Sequence, residues 1–488
     1  MVDAALVGHL FRRAGFGLPA AEVDRLATSR SYRDLVDSLL VFDPSAVDVD
    51  DLIGLPGYVS TTGRDRFQPN VDIGHARQRW LFRLVHARAP LREKMAFVWH
   101  HHFATAYSKI QGTYGSADAT RLMAAKAAED PAGQQGQIDR LRDNGLGSFR
   151  DLLIDMARDP AMLVWLDGRT NVKAQPQENF GRELMELFTF GVEHYTEEDV
   201  YAAARVFTGW NLSVSGRTGE GVAGFRFIYR PEQHDTSEKT FSFPIYSRLS
   251  GTGRTIPARG ASAGVQDGID LIHALAYHRE TALRMARRMW TWFVSETAPA
   301  PDRFVNDIAR VYLDNGTNMR AVMRAVLLSP EFQDPARFHQ RYAWPVEFVV
   351  RALREMGYVG YSVANALTPL VNMGQQLFEP PDVNGWELGP AWFSTGGMLA
   401  RMNFAADLAT NQRVALRQAA RPRTTTAESL VDFTTRALSV PTLSADNYNT
   451  LVNYVHSGGT WVASDAQLLA KAAGLCHLLA ASAEYQFV

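Results

Sequence analysis

A chain of 488 residues with 46% hydrophobic and 21% charged side chains can hold a large core or two or three packed lobes, and its mix is that of an ordinary globular protein. Lys and Arg total 50 against 52 Asp and Glu, a formal net charge of −2. That balance gives no support to nucleic-acid binding, where a basic surface neutralises phosphates, and the lone cysteine, Cys476, rules out an intramolecular disulfide and a cysteine-based zinc site.

Apolar residues recur at helical spacing through most of the chain. The first unit, 4–42, carries the stripe Leu6, Leu10 and Phe11. Gly15 and Gly17 break it, and Pro19 starts a second helix. Its opening, MVDAALVGHLFRRAGFG, lacks a basic start followed by an apolar run, so a cytoplasmic protein is expected, or an exported one if a leader has been removed. Residues 45–72 read as a loop, 73–103 as helix interrupted by Pro90, and 118–166 as helices broken near 131–136 and 145–147. Residues 176–190 and 197–209 form a helix pair, with Thr196 as N-cap of the second and Asp199 three residues on.

Composition changes at 211–260, where FRFIYR and a rise in Gly, Ser and Thr predict a small β-hairpin or irregular excursion. Helices return over 265–375. A Pro/Gly/Trp-rich loop follows at 376–397, then a helix at 396–412, a polar linker at 415–427 and further helix over 428–486. Cys476 falls in an apolar helical stretch and is expected to be a buried, inert thiol. No window approaches the roughly 20 apolar residues of a membrane span. The fold class expected is all-α, a multi-helix array: a main domain over 1–414 holding every candidate motif, and a C-terminal helical segment, 415–488, packed on it.

Four motifs carry chemistry. ENFGRELMELFTFG, at 178–191, places Asn179, Arg182, Glu183 and Glu186 on one helix face and Phe180, Leu184, Leu187 and Phe188 on the other, at about 100° per residue. Arg182 is four residues from both Glu178 and Glu186 and can bridge them. Two neighbouring carboxylates repel, which raises one pKa into a range useful for proton transfer, or they grip a cation. Met185 and Phe190 flank the polar face, and Gly181 suggests close approach of another backbone. The plain alternative is an exposed amphipathic helix with salt bridges.

WHHHFATA, at 99–106, ends an apolar helix. In an extended chain His100 and His102 point the same way and suit a metal; in a helix they diverge by about 200° and only one can serve. QHDTSEKTF, at 233–241, sets His234 beside Asp235, which reads as an oriented imidazole, a ligand pair or turn chemistry. FEPPDVNGWELGPAWFST, at 378–395, puts Trp386 and Trp392 near Asp382 and Asn384, as a platform for stacking ligands such as sugars or as a rigid loop whose tryptophans plug the core. No Gly-x-Ser-x-Gly elbow, Walker loop or His-Glu-x-x-His is present, and Gly15 and Gly17 lack the third glycine and preceding strand of a dinucleotide fingerprint.

These motifs resemble a bacterial family, the domain-of-unknown-function family 1800. The resemblance rests on HLFRRAGFGLPAAEV at 9–23, REKMAFVWHHHFAT at 92–105, ENFGRELMELFTFGVEHYTEEDVYAAARVFTGW at 178–210, HDTSEKTF at 234–241, MARRMWTWFV at 285–294, LLSPEFQ at 327–333 and PPDVNGW at 380–386. It implies a mainly helical bacterial protein, often exported and often encoded beside another uncharacterised family with a sulfatase-like look. It supplies no reaction or substrate. The missing leader departs from the usual pattern. The matching positions carried over are Trp99, His100, His102, Glu178, Asn179, Arg182, Glu183, Glu186, His234, Asp235, Asp382, Asn384 and Trp386.

The reading these features support is a hydrolase or lyase on a polar small molecule or polysaccharide, with no nucleic-acid partner. Glu183, Glu186, Arg182 and Asp382 form its catalytic set, and Asn179, Trp386, Asn384 and Trp99 its substrate contacts. His100, His102, His234 and Asp235 would hold a divalent metal: zinc, manganese or iron. A redox metalloenzyme with Glu and His ligands, or a non-catalytic helical scaffold, are the alternatives. They part on whether His102, Glu183, His234 and Asp382 meet in one pocket.

Overall fold

A computed structural model describes residues 2–42, 48–216, 222–246, 253–441 and 443–488. Among the described residues there are 24 α-helices, and the strands make two small antiparallel pairs. The chain is predominantly all-α with a small hairpin.

Local chemistry sets the helix starts. The Asp3 carboxylate caps Ala4–Arg13, and the Ser31 hydroxyl caps Tyr32–Leu40. Thr196 and Asp199 form the expected capping box on Glu197–Val206, each side chain taking the other residue's backbone N–H. Pro90 does not kink a continuous helix. It opens a new one, Pro90–His102, after Ile73–His86 has ended, because the missing N–H costs nothing in a first turn.

Pro90–His102 is the central helix. Met95, Phe97, Val98 and Trp99 are fully buried on all its sides, as expected of a helix surrounded by others. Its two buried charges are paired. Glu93 meets Arg142 at 2.7 Å, and Lys94 meets Glu347, which Arg341 also holds at 2.7 Å. The two cations hold the Glu347 carboxyl down at about 2, against the cost of its burial. Burial pulls Lys94 to about 8, so Arg341 is the firm cation of the trio.

The excursion resolves into the hairpin Trp210–Ser215 and Gly224–Tyr229, in register from Trp210 opposite Tyr229 to Ser215 opposite Gly224, and the short pair Lys239–Thr240 with Thr255–Ile256. The parts of the excursion at 217–221 and 247–252 lie outside the described residues. The polar linker expected over 415–427 is corrected: Arg413–Ala420 is a helix, with Leu416 and Ala420 buried one turn apart. Its arginines and glutamine are good helix formers, so polarity alone was a poor sign of a break. The last helix, Asp465–Ala481, packs on Thr395–Asn411 and Arg413–Ala420. Beyond it Tyr485 donates to the Glu355 carboxylate at 2.8 Å. Cys476 is buried, which pushes its thiol up to about 12. Among the described residues no helix is long and apolar enough to cross a membrane.

Candidate functional site

The ENFGRELMELFTFG segment begins as an α-helix, Asn179–Glu183, and widens into a π-helical turn, Leu184–Phe188. Such turns are rare and often sit at functional sites. The carbonyls at the end of this one are satisfied from outside. The Arg284 guanidinium donates to the carbonyls of Glu186, Leu187 (3.1 Å) and Thr189 (3.0 Å), and Arg288 donates to Leu187 at 3.0 Å. Cations at a helix C-terminus also suit its dipole. Phe180, Leu184, Met185, Phe188 and Phe190 are buried. Gly181 lies on the Glu197–Val206 helix so closely that a Cβ there would stand 2.9 Å from the Ala203 Cβ. Packing below and two arginines at the end thus fix the segment, and its polar edge faces outward.

On that edge Glu183 is half-buried and makes no hydrogen bond to any described residue. Burial, reinforced by the Glu186 charge and opposed by Arg182, lifts its carboxyl to about 7. Glu186 accepts a hydrogen bond from the Tyr195 hydroxyl. Burial and this carboxylate push the Tyr195 phenol up to about 12, so it remains a donor at neutral pH. Arg182 does not bridge Glu178 and Glu186 as expected. It pairs with Glu178 at 3.3 Å and, in a two-pronged contact, with Glu197 at 2.7 Å on the next helix. The reach across to a neighbouring helix has no signature in the spacing along its own. Asn179 donates to Asp167 at 3.1 Å.

The histidine triplet is not a metal pair. Because the chain stays helical through His102, the three rings point apart, and all three are buried among aromatic side chains. The Phe378 N–H donates to Nε2 of His100 at 3.2 Å, the Trp386 N–H donates to Nδ1 of His101 at 3.2 Å, and Arg288 donates to Nδ1 of His102. Burial takes His100 and His101 down to about 3, and burial and Arg288 hold His102 well below the usual histidine range. Neutral imidazoles here accept hydrogen bonds from two points of the 376–397 loop and from the arginine that braces the π turn.

That loop is a plug, not a platform. Trp386 is only 4% exposed, as is Trp392, and Trp386 stacks on His101. Gly385, at φ 84°, is packed so that a Cβ would stand 2.5 Å from the His101 ring. Asp382 is exposed and accepts from the Asn384 N–H at 2.7 Å, which is turn chemistry, and Asn384 is exposed beside it. Trp99 is fully buried, its indole N–H on the Gly145 carbonyl at 2.8 Å. Trp99 and Trp386 therefore have no face free for a ligand.

His234 and Asp235 belong to internal networks. The buried His234 meets the Thr208 carbonyl at 2.8 Å and Asp267 at 3.3 Å, and Asp267 also takes Lys239 at 2.6 Å and Arg259 at 2.7 Å. Asp235 pairs with Arg205 at 2.8 Å, which with Ser237 holds its carboxyl low. Among the described residues no three His, Cys, Asp or Glu side chains are grouped to hold a metal ion. Three of the four motifs are thus connected through the core, from Trp386 by His101, Trp292, His102 and Arg288 to the π turn, while His234 and Asp235 sit in a separate network.

The family model described as a protein of unknown function, DUF1800, matches residues 9–487. The chain belongs to the DUF1800 family. No curated protein and no solved structure matches it. In this DUF1800 chain the site side chains that sequence reasoning missed are Tyr195, Glu197, Arg284 and Arg288. Arg284 and Arg288 had a weak signal: two basic residues four apart share one face of the Arg279–Met289 helix, among the apolar positions Leu283, Met285 and Met289. Tyr195 had none, since its reach to Glu186 depends on the turn between the two helices.

Proposed function

We propose that this protein is an acid–base enzyme, a hydrolase or lyase acting on a polar substrate, with Glu183 as the proton-transfer group. The observation that carries the reading is a half-buried carboxyl, without a hydrogen-bond partner among the described residues, lifted to about 7 beside a second carboxylate. Catalytic groups work best when their pKa lies near the operating pH, and strongly perturbed groups gather at functional sites. Glu186 supplies the charge that raises Glu183, and the Tyr195 hydroxyl holds Glu186 by donating its one proton to that carboxylate. Arg182 tempers the Glu183 shift. Arg284 and Arg288 position the turn. The buried Trp386 and Trp392 offer no exposed face on which a sugar could stack.

The test is a screen of the purified protein against ester, glycoside and polyanionic lyase substrates. Any activity found should fall about 100-fold or more in Glu183→Gln and should show a pH limb near 7. An activity that survives both Glu183→Gln and Glu186→Gln within twofold overturns the assignment.

One observation favours a second reading, a non-catalytic helical scaffold: His100, His101, His102, His234 and Asp235 are all taken up by internal bonds. A scaffold gives no reason for an unpaired carboxyl beside Glu186, and Glu183→Gln should then leave every phenotype of the intact protein unchanged.

A further inference from the structure

A cavity of about 500 Å³ opens between the hairpin and the Gln137–Asn144 and Phe149–Ala157 helices. It is separate from the Glu183 edge, and none of the four sequence motifs contributes to it. Its wall carries Arg140, Arg158 and Arg226, one carboxylate, Asp155, and the apolar rings Phe225 and Phe227.

Three guanidiniums around one opening repel one another, and proteins normally offset such a group with carboxylates. Here the offset is partial: Arg140 makes only a long ion pair with Asp159, at 3.6 Å, and Asp155 interacts with Arg140 and Arg158 through charge alone. Among the described residues none of the three guanidiniums donates a hydrogen bond. The Arg140 contact with Asp159 is beyond hydrogen-bond range, and the Nε atoms of both Arg140 and Arg158 are buried without a hydrogen-bond partner. Asp155 does not close the account, because it is taken by the Asn144 amide at 2.7 Å and burial raises its pKa. What holds Arg158 is the hairpin. Its guanidinium lies over the faces of Trp210 and Phe227 at 5.5 and 5.3 Å, which orients the fork while leaving its N–H groups free. A planar fork held by stacking and unpaired by carboxylate is suited to an oxyanion with several acceptor oxygens.

We infer that this cleft binds a small ligand through a phosphoryl-type dianion, gripped by Arg140, Arg158 and Arg226. The site assigns a role to the hairpin: it carries Arg226 on one strand and the aromatic faces under Arg158. The Phe225 and Phe227 side of the cleft leaves room for an apolar group attached to the anion.

The test is calorimetric titration of the full-length protein with inorganic phosphate, sulfate and phenyl phosphate, at ionic strength held constant with sodium chloride. Saturable phosphate binding is expected, weakened about tenfold or more in both Arg226→Ala and Arg140→Gln. Both side chains are partly or wholly exposed, so these variants should fold; thermal melting checks that they do. Tighter binding of phenyl phosphate than of phosphate points to an organic monoester as the occupant, and equal binding points to free phosphate. The inference is overturned if neither phosphate nor phenyl phosphate binds beyond the chloride control, or if either folded variant keeps wild-type affinity.

Discussion

Glu183 keeps its proton to about pH 7 in the folded protein, whereas in an unfolded chain a glutamate releases it near ~4.3. Between those values the native state binds a proton that the unfolded state has lost, so this group makes folding less stable as pH rises through the window. Without screening the full shift corresponds to about 3 kcal/mol, and the half-exposed position of Glu183 reduces that to about 1–2 kcal/mol. Glu183→Gln fixes the neutral form. The variant's advantage over wild type should be small near pH 5 and larger at pH 8. The unfolding entropy of a chain of 488 residues is about 1 kcal/mol/K, so the gain at pH 8 should appear as a rise of roughly 1–2 °C in Tm. Differential scanning calorimetry of both proteins at pH 5, 6, 7 and 8 reads it. Titrating groups not coupled to Glu183 cancel in the difference between the curves. Glu186→Gln removes the like charge and should shrink the same gap. A Tm difference that is constant with pH, or that favours wild type at pH 8, refutes the reasoning.

Gly181→Val should force the helix off Ala203 and cost about 1–3 kcal/mol, seen as a lower Tm with the far-UV spectrum retained. Glu347→Gln leaves Arg341 and Lys94 without their shared carboxylate and should cost about 3–5 kcal/mol. Because the Glu347 carboxyl is depressed to about 2, its contribution is present above the unfolded value and fades only as pH falls toward 2, so the wild-type excess in Tm over the variant should narrow in acid. Arg284→Ala unties three carbonyls at the end of the π turn, and hydrogen exchange at Leu187–Phe190 should speed up while the Pro90–His102 helix stays protected.

The helices were legible because their signals are local. Thr196 and Asp199, Pro90 at a first turn and the apolar face of Phe180, Leu184 and Phe188 each declare themselves within a few residues. Gly181 announced a close neighbour, and Ala203 is that neighbour. The site was less legible because its partners are distant in sequence. Arg182 chose Glu197 over Glu186, and Arg284 reached back 98 residues to the Glu186 carbonyl. Histidine and tryptophan misled for a shared reason. Each carries an apolar ring with a polar edge, so His100, His101 and Trp99 satisfy a buried backbone group as readily as they bind a ligand, and composition does not separate those uses. The arginine cleft left no motif at all, since its three residues come from a helix, the turn that ends another helix, and a strand.

Site-resolved titration of Glu183 tests the central claim most directly. With the glutamate side-chain carboxyl carbons labelled with carbon-13, and with Glu183→Gln to assign the resonance, nuclear magnetic resonance across pH 4 to 9 reads its pKa in the intact protein. The account predicts a midpoint near 7 that falls toward the ordinary glutamate value in Glu186→Gln. A midpoint at or below about 5 in the wild-type protein, close to the unperturbed range, would contradict it.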